Sequence, residues 1–298
     1  MLHKRGYQVS SHRSFYYRQP SRPERALTSL LGINGPGFFW SKYIPRNFGD
    51  WITPYLYTKT TGRLPIFQPP ETNISTIFGA GSIFRHIRVV GSALVWGSGL
   101  ISHDDDFERP KDILMVRGPL TRKVLRGRSI PCPESFGDPG LMLPEVFRPD
   151  TKKNKYALGV VPHFKEISIV ERLFGSDFIG DEIRLIDPTQ PIEEVIKQTL
   201  SCQAVVSSSL HGIIICHAYG IRCGWVRFSP MSAKVIDGDG IKFLDHLSAI
   251  GLKDFIRKPL SMTDADISVR RLLTHGLNSP VPDPTHLVDN VKKTCPFL

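Results

Sequence analysis

The segment AVVSSSLHGIIICHAYGIRCGWVRF, residues 204–228, constrains the fold of this chain more than any other stretch. An apolar, β-branched run (Ala204, Val205, Val206) meets three serines, then Leu210-His211-Gly212, a second apolar run, and Tyr219-Gly220-Ile221. The pattern predicts a buried strand over 204–208, a small-residue turn, a helix over 210–220 closed at Gly220, and a strand over 223–228. Such a turn lies at the carboxyl end of a parallel strand, where open α/β sheets place their ligands. Helix-start N–H groups, serine hydroxyls and one imidazole converge there, a set suited to an anion.

Related units recur along the chain. Phe38-Phe39-Trp40 reads as a first strand, with Asn47 or Asp50 capping a helix through Tyr55 to Thr60 that Gly62 ends. ISTIFGAGSI (74–83) and SALVWGSGLI (92–101) are apolar runs that end in small-residue turns. DILMVRG (112–118) is a further strand, and Pro119 opens a helix through Leu125. Beyond a Pro-rich, charged linker (144–155) come a strand in YALGVVPHF (156–164), a helix near 168–174, a strand over 183–187 and a helix over 191–203. KFLDHLSAIG (242–251) and DADISVRRLLTHG (264–276) read as helices, and the tail from Asn278 as irregular. The expected class is α/β, with two Rossmann-like domains facing a cleft. An irregular basic arm (1–35) precedes an N-terminal domain (36–145); a C-terminal domain (154–260) carries the ligand site, and a C-terminal helix and tail (261–298) follow.

The 298 residues, 41% hydrophobic and 22% charged, have the make-up of a globular protein with ordinary cores. A net charge of +10 favours anionic partners, whether nucleic acid, a membrane face or phosphorylated substrates. Five scattered cysteines (Cys132, Cys202, Cys216, Cys223, Cys295) form no CxxC pair, which argues against structural zinc and for a reducing compartment. No apolar run reaches membrane-spanning length and the basic N-terminus lacks the apolar core of a secretory signal, so a cytoplasmic location is expected.

Single motifs leave choices open. Gly79-Ala80-Gly81-Ser82 and Gly97-Ser98-Gly99 complete neither a dinucleotide fingerprint nor a Walker A loop. Asn47-Phe48-Gly49-Asp50 either caps a helix or faces the cleft, and Asp138 in FGDPG reads first as a turn residue. Arg117, at the buried end of a strand, needs a carboxylate or a bound anion. His163 and His211 stand at strand ends on the cleft side, whereas His217 falls on an apolar helix face and reads as core. GxSxG is absent, which removes the Ser-His-Asp hydrolase reading.

Seven of these segments, in this order, resemble the polysaccharide pyruvyl transferase family: NFGD (47–50), VWGSG (95–99), VRGPLTR (116–122), FGDPGLMLP (136–144), VVPHF (160–164), SSSLHG with AYGI (207–221) and KFLD (242–245). The resemblance spans about residues 38–250. It implies a GT-B-like fold and transfer of a carboxyethylidene (pyruvate ketal) group from phosphoenolpyruvate to two hydroxyls of a sugar. The acceptor would be a polysaccharide or a lipid-linked oligosaccharide, with phosphate released and neither metal nor further cofactor required. Some relatives carry Arg-Leu-His where this chain has Ser209-Leu210-His211.

The implied site places His211 on the donor phosphate or as general acid, with Arg117, Ser207, Ser208, Ser209 and Gly212 holding the donor. His163 is a second donor contact or acid/base group. Asp50, beside Asn47, is the base on the acceptor hydroxyl, and Lys242 and Asp245 close the cleft from the far side. The basic arm suggests peripheral contact with the inner face of a membrane. Two rival readings stay open. A GT-B nucleotide-sugar glycosyltransferase would need an acidic residue poised for a ribose, and none is evident in the second half. A non-catalytic basic protein binding nucleic acid or membrane would need clustered cations with interleaved aromatics, which only the arm offers, so nucleic acid is not an expected partner.

Overall fold

The computed structural model describes residue 23 and residues 35–41, 47–151, 154–175, 182–228, 238–256, 258–262 and 268–298. The first sheet contains β1 (Gly37–Phe39), β2 (Ile66–Phe67), β3 (Thr76–Phe78), β4 (Ala93–Trp96) and β5 (Asp112–Met115) in the order β2-β1-β3-β4-β5. The second contains β6 (Tyr156–Val161), β7 (Ile183–Leu185), β8 (Cys202–Ser207), β9 (Cys223–Arg227) and β10 (Leu260–Ser261) in the order β10-β9-β8-β6-β7. All of these pairings are parallel. Read from the other edge, the second order repeats the first, so both halves wind alike. In each, the winding direction reverses between the first and third strands. The turns leaving β1, β3, β6 and β8 therefore flank the two crevices where such sheets bind ligands.

The strands are apolar on both faces because helices cover both. Ala204, Val205 and Val206 of β8 are all buried, in register with Leu158, Gly159 and Val160 of β6. Helix α1 (Ile52–Thr61) ends where expected, at Gly62, whose φ of +70° permits the left-handed cap and whose N–H reaches Thr58 O at 2.9 Å. Then follow α2 (Pro119–Gly127), a single turn α3 (Leu143–Val146) at the start of the expected linker, α4 (Ile167–Phe174), α5 (Ile192–Leu200), α6 (Leu210–Ala218), α7 (Ile241–Ala249), α8 (Val269–Leu277) and α9 (Thr285–Lys293). Residues Leu210 to His217 of α6 are buried on every side. One side meets β8 and β9 and the other meets the Pro139–Met142 turn of the first half, within one continuous apolar core.

The α/β class is the expected one, and most elements fall within a few residues of the sequence pattern. Three points differ. The edge strands β2 and β10, two residues each, carry too little pattern to be read. Helix α5 stops at Leu200 because Ser201 turns back onto Lys197 O and Gln198 O, so β8 starts at Cys202 rather than 204. The tail from Asn278, expected to be irregular, contains α9. Its Leu287 and Val291 are buried, Trp96 Nε1 donates to Val291 O at 3.3 Å, and Phe297 packs against Phe38, Tyr57 and Trp96. The four-residue spacing of Leu287 and Val291 is helical, and the prolines before it mask the signal. The expected arm over 1–35 lies outside the described residues except at 23 and 35, as do 263–267 at the start of the helix expected over 264–276.

Candidate active site

The turn after β8 is knitted to the turn after β6. Ser207 Oγ lies 2.8 Å from Val161 O and 2.9 Å from Ser209 O, and accepts from Ser209 N at 3.0 Å. Ser208 Oγ donates to the Glu166 carboxylate and accepts from His163 N at 2.9 Å. Two of the three serines expected to hold a donor thus brace the turn, Ser207 through the backbone and Ser208 between the Glu166 carboxylate and His163 N. Only Ser209, at the N-cap of α6, makes no capping bond through its side chain. A Cβ on Gly212 would fall 2.4 Å from Ser207 Oγ, so glycine allows the close packing of α6 on this turn. His163 caps the 3-10 turn Phe164–Glu166, with Nδ1 3.4 Å from Lys165 N. Glu166, which the sequence pattern does not single out, is fully buried.

His211 opens α6 and is 6% exposed. Its ring lies against the Asn47-Phe48-Gly49-Asp50 turn of the first half. A Cβ on Gly49 would stand 2.0 Å from Nδ1, so this approach requires glycine. The Phe48 ring meets the imidazole edge-on at 6.2 Å, and Phe48 N donates to Pro188 O at 2.9 Å. Asn47 is the N-cap of the 3-10 turn Phe48–Trp51, its side chain accepting from Gly49 N at 3.4 Å. Burial raises the Asp50 carboxyl to about 7, against the opposing hydrogen bond from Asn47.

Behind His211 lies a buried charge cluster. Arg117 has no exposed surface; Nη1 donates to Ser82 Oγ and Nη2 to Leu100 O, both at 2.7 Å, and Nε lies 3.3 Å from Asp245 Oδ2. Asp245, on α7, also accepts from Leu120 N (2.8 Å), Thr121 N (3.0 Å) and Thr121 Oγ1 (2.6 Å), capping the start of α2 from another element. Of the two partners open to Arg117, a carboxylate or a bound anion, the fold supplies the carboxylate: Arg117 and Asp245 form a buried ion pair that ties α7 to the first half. Lys242, on the same helix, is buried with its Nζ 5.4 Å from the Phe243 ring centre.

Burial, with the charges of Arg117 and Lys242, pushes the His211 pKa down to about 3. Asp138 is wholly buried; its Oδ1 accepts from Gly140 N at 2.8 Å and its Oδ2 lies 3.9 Å from His211 Nε2. Burial raises this carboxyl to about 6, opposed by the Gly140 hydrogen bond and by Arg117. By sequence Asp138 is a turn residue; the signal that marks it out is its place in the co-linear FGDPG segment. His217, read as core, is buried and stacked on His246, with Nδ1 3.0 Å from its Nε2. Among the described residues, no group of three His, Cys, Asp or Glu side chains could hold a metal, and no helix is long and apolar enough to cross a membrane. A surface cavity of about 510 Å³ between β10 and α8 contains none of these residues.

Two doubly wound parallel sheets, with a buried imidazole, a buried carboxyl and a helix start at their switch points, define an α/β protein. The chain belongs to the polysaccharide pyruvyl transferase family, whose profile matches residues 34–230. The family makes it a transferase, with pyruvyl transfer onto polysaccharide as the reaction class. It is 25% identical over 253 residues to the succinoglycan biosynthesis protein ExoV of Rhizobium meliloti, covering 80% of this chain and 72% of that protein. An uncharacterized Acanthamoeba polyphaga mimivirus protein is 32% identical over 199 residues, 62% of this chain and 67% of the viral one. Among solved structures, an uncharacterized protein of Klebsiella pneumoniae aligns with a TM-score of 0.39 at 11% identity, over 81% of this chain and 97% of that one.

Proposed function

We propose that the protein transfers a carboxyethylidene group from phosphoenolpyruvate to two hydroxyls of one sugar residue, on a GT-B-like frame, with release of phosphate. The observation that carries this reading is the seating of His211, at the start of α6, against the turn that bears Asp50. This combination suits a doubly anionic donor and a hydroxyl that must lose a proton. The acceptor is a polysaccharide or its lipid-linked precursor, and the basic arm suits the membrane face where such a precursor would lie.

In the reaction, a proton adds to the methylene carbon of phosphoenolpyruvate and one sugar hydroxyl oxygen bonds to C2. The C2–O bond to phosphate then breaks with its electron pair, and the second hydroxyl closes the ketal. Of the two hydroxyl protons, one balances the new methyl group and the other leaves on phosphate. Asp50, held near neutrality by burial, takes a hydroxyl proton. His211 is neutral at pH 7, so the imidazolium acid considered from sequence is disfavoured, and the uncharged ring meets the donor through its lone-pair nitrogen, which accepts from a phosphate OH. The free N–H groups at the start of α6 add to the anion's stabilisation. Lys242 and Arg117 contribute positive potential from behind the imidazole, and His163 stands at the neighbouring turn as a second donor contact.

The test is thermal stabilisation by millimolar phosphoenolpyruvate, beside inorganic phosphate and a UDP-sugar, in the wild type and in His211→Ala. A ligand that binds only the folded state raises the melting temperature. A rise with phosphoenolpyruvate that His211→Ala abolishes is expected. A rise with the UDP-sugar alone would replace this reading with glycosyl transfer.

A further inference from the structure

The His211–Asp138 contact joins two buried polar atoms that lack partners. Neither His211 Nε2 nor Asp138 Oδ2 makes a hydrogen bond, and they face each other at 3.9 Å. That gap is just beyond hydrogen-bond distance and closes to one with a small rotation of either side chain. Other groups restrict what can form there. Arg117, Lys242 and His246 all oppose a positive charge on the ring, and Arg117 favours the ionised form of Asp138. With the ring neutral and the carboxylate ionised, only an Nε2–H can satisfy both atoms; an Nδ1–H tautomer would set two lone pairs against each other in a buried site.

We infer that Asp138 is a positioning residue for His211: its Oδ2 accepts the Nε2–H, fixes the tautomer and ring orientation, and leaves Nδ1 as the lone-pair nitrogen on the side of the Asn47–Asp50 turn. The second carboxyl oxygen anchors the arrangement, since Oδ1 is held by Gly140 N at 2.8 Å. The consequence for catalysis rests on the pyruvyl transfer reading; the pairing itself does not.

Asp138→Asn is the informative variant. With Oδ1 still bound to Gly140 N, the amide must turn its NH₂ toward Nε2, which reverses the polarity of the contact and calls for the Nδ1–H tautomer. The experiment is ¹⁵N NMR of the imidazoles at pH 7.5 in wild type and Asp138→Asn, with His211→Asn for assignment, beside steady-state kinetics with phosphoenolpyruvate. An Nε2–H tautomer in the wild type that becomes Nδ1–H in Asp138→Asn is expected. With it should come a kcat lower by roughly a hundredfold or more and a KM for phosphoenolpyruvate within about threefold of wild type. A wild-type Nδ1–H tautomer overturns the pairing whatever reaction the protein catalyses, and needs no variant to be seen. Unchanged kcat in a variant whose tautomer has switched overturns the positioning role. Absence of any wild-type turnover counts against the pyruvyl reading alone, because the NMR result still decides the pairing.

Discussion

Gly49 and His211 come from different halves of the chain, yet each accounts for the other. Replacing Gly49 by alanine places a methyl 2.0 Å from Nδ1, so the ring or the turn must shift. Overpacking of this kind costs about 1–3 kcal/mol. Gly49→Ala is therefore expected to unfold at lower denaturant and to lose at least about tenfold in activity as His211 is displaced; wild-type values in both assays would mean that the ring is not seated there. Asp50 governs the pH dependence. A base acts when deprotonated, and burial sets this carboxyl at about 7, so the rate should rise as pH passes from 6 to 8. Asp50→Asn should flatten that limb of the pH–rate profile, whereas a persisting rise would assign the base elsewhere. The sequence shows both residues in one short motif; it does not show which imidazole they meet.

At the scale of elements, α7 is the decisive piece. Its Asp245 caps α2 and pairs with Arg117, and its His246 meets His217 of α6, so one helix holds two others in place. Removing the carboxylate leaves a buried guanidinium alone, a change that costs about 3–5 kcal/mol. Asp245→Ala should show this loss in urea unfolding, and adding Arg117→Met should recover part of it by deleting the orphaned charge. Equal stability of the two variants would sink the ion-pair account. Strands with β-branched runs, the Gly62 cap and the proline at the start of α2 are legible because local chemistry determines them. The two-residue edge strands and α9 are not, since edge strands are stabilised by a neighbour and α9 by a surface formed elsewhere in the chain.

The whole molecule holds several imidazoles neutral. Burial lowers His211 to about 3, His217 to about 4 and His246 well below the ordinary value of 6.5. As pH falls below 6.5 the unfolded chain takes protons on these residues and the folded chain does not, so stability is lost. Asp50 and Asp138 act oppositely. Folded, they bind protons below about 7 and 6, whereas unfolded they stay ionised to 3.8, so each adds stability on acidification. His86, lowered to about 4, and His275, lowered by burial, act the same way as the other imidazoles, so five imidazoles against two carboxyls leave a net loss on the order of 2 kcal/mol per pH unit between pH 6 and 5. Chemical denaturation across that range should show the decline, and His217→Asn should make it shallower; a stability that rises toward pH 5 would refute the balance.

By itself, the sequence determines the alternation of strands and helices, the α/β class and the strand ends where chemistry collects, because these follow from hydrophobic period and turn residues within a few positions. It also marks His211, Asp50 and FGDPG as candidates, through motif order. Which of the candidates face one another is decided only by the tertiary structure. Ser207, Ser208 and Arg117 stand at strand ends and Asp245 on a helix, and packing commits each to a partner within the protein because a buried polar group must find its partner inside the fold. Asp138 gains its significance the same way: a turn residue in the chain, it becomes the neighbour of His211 only when α6 is buried against the first half.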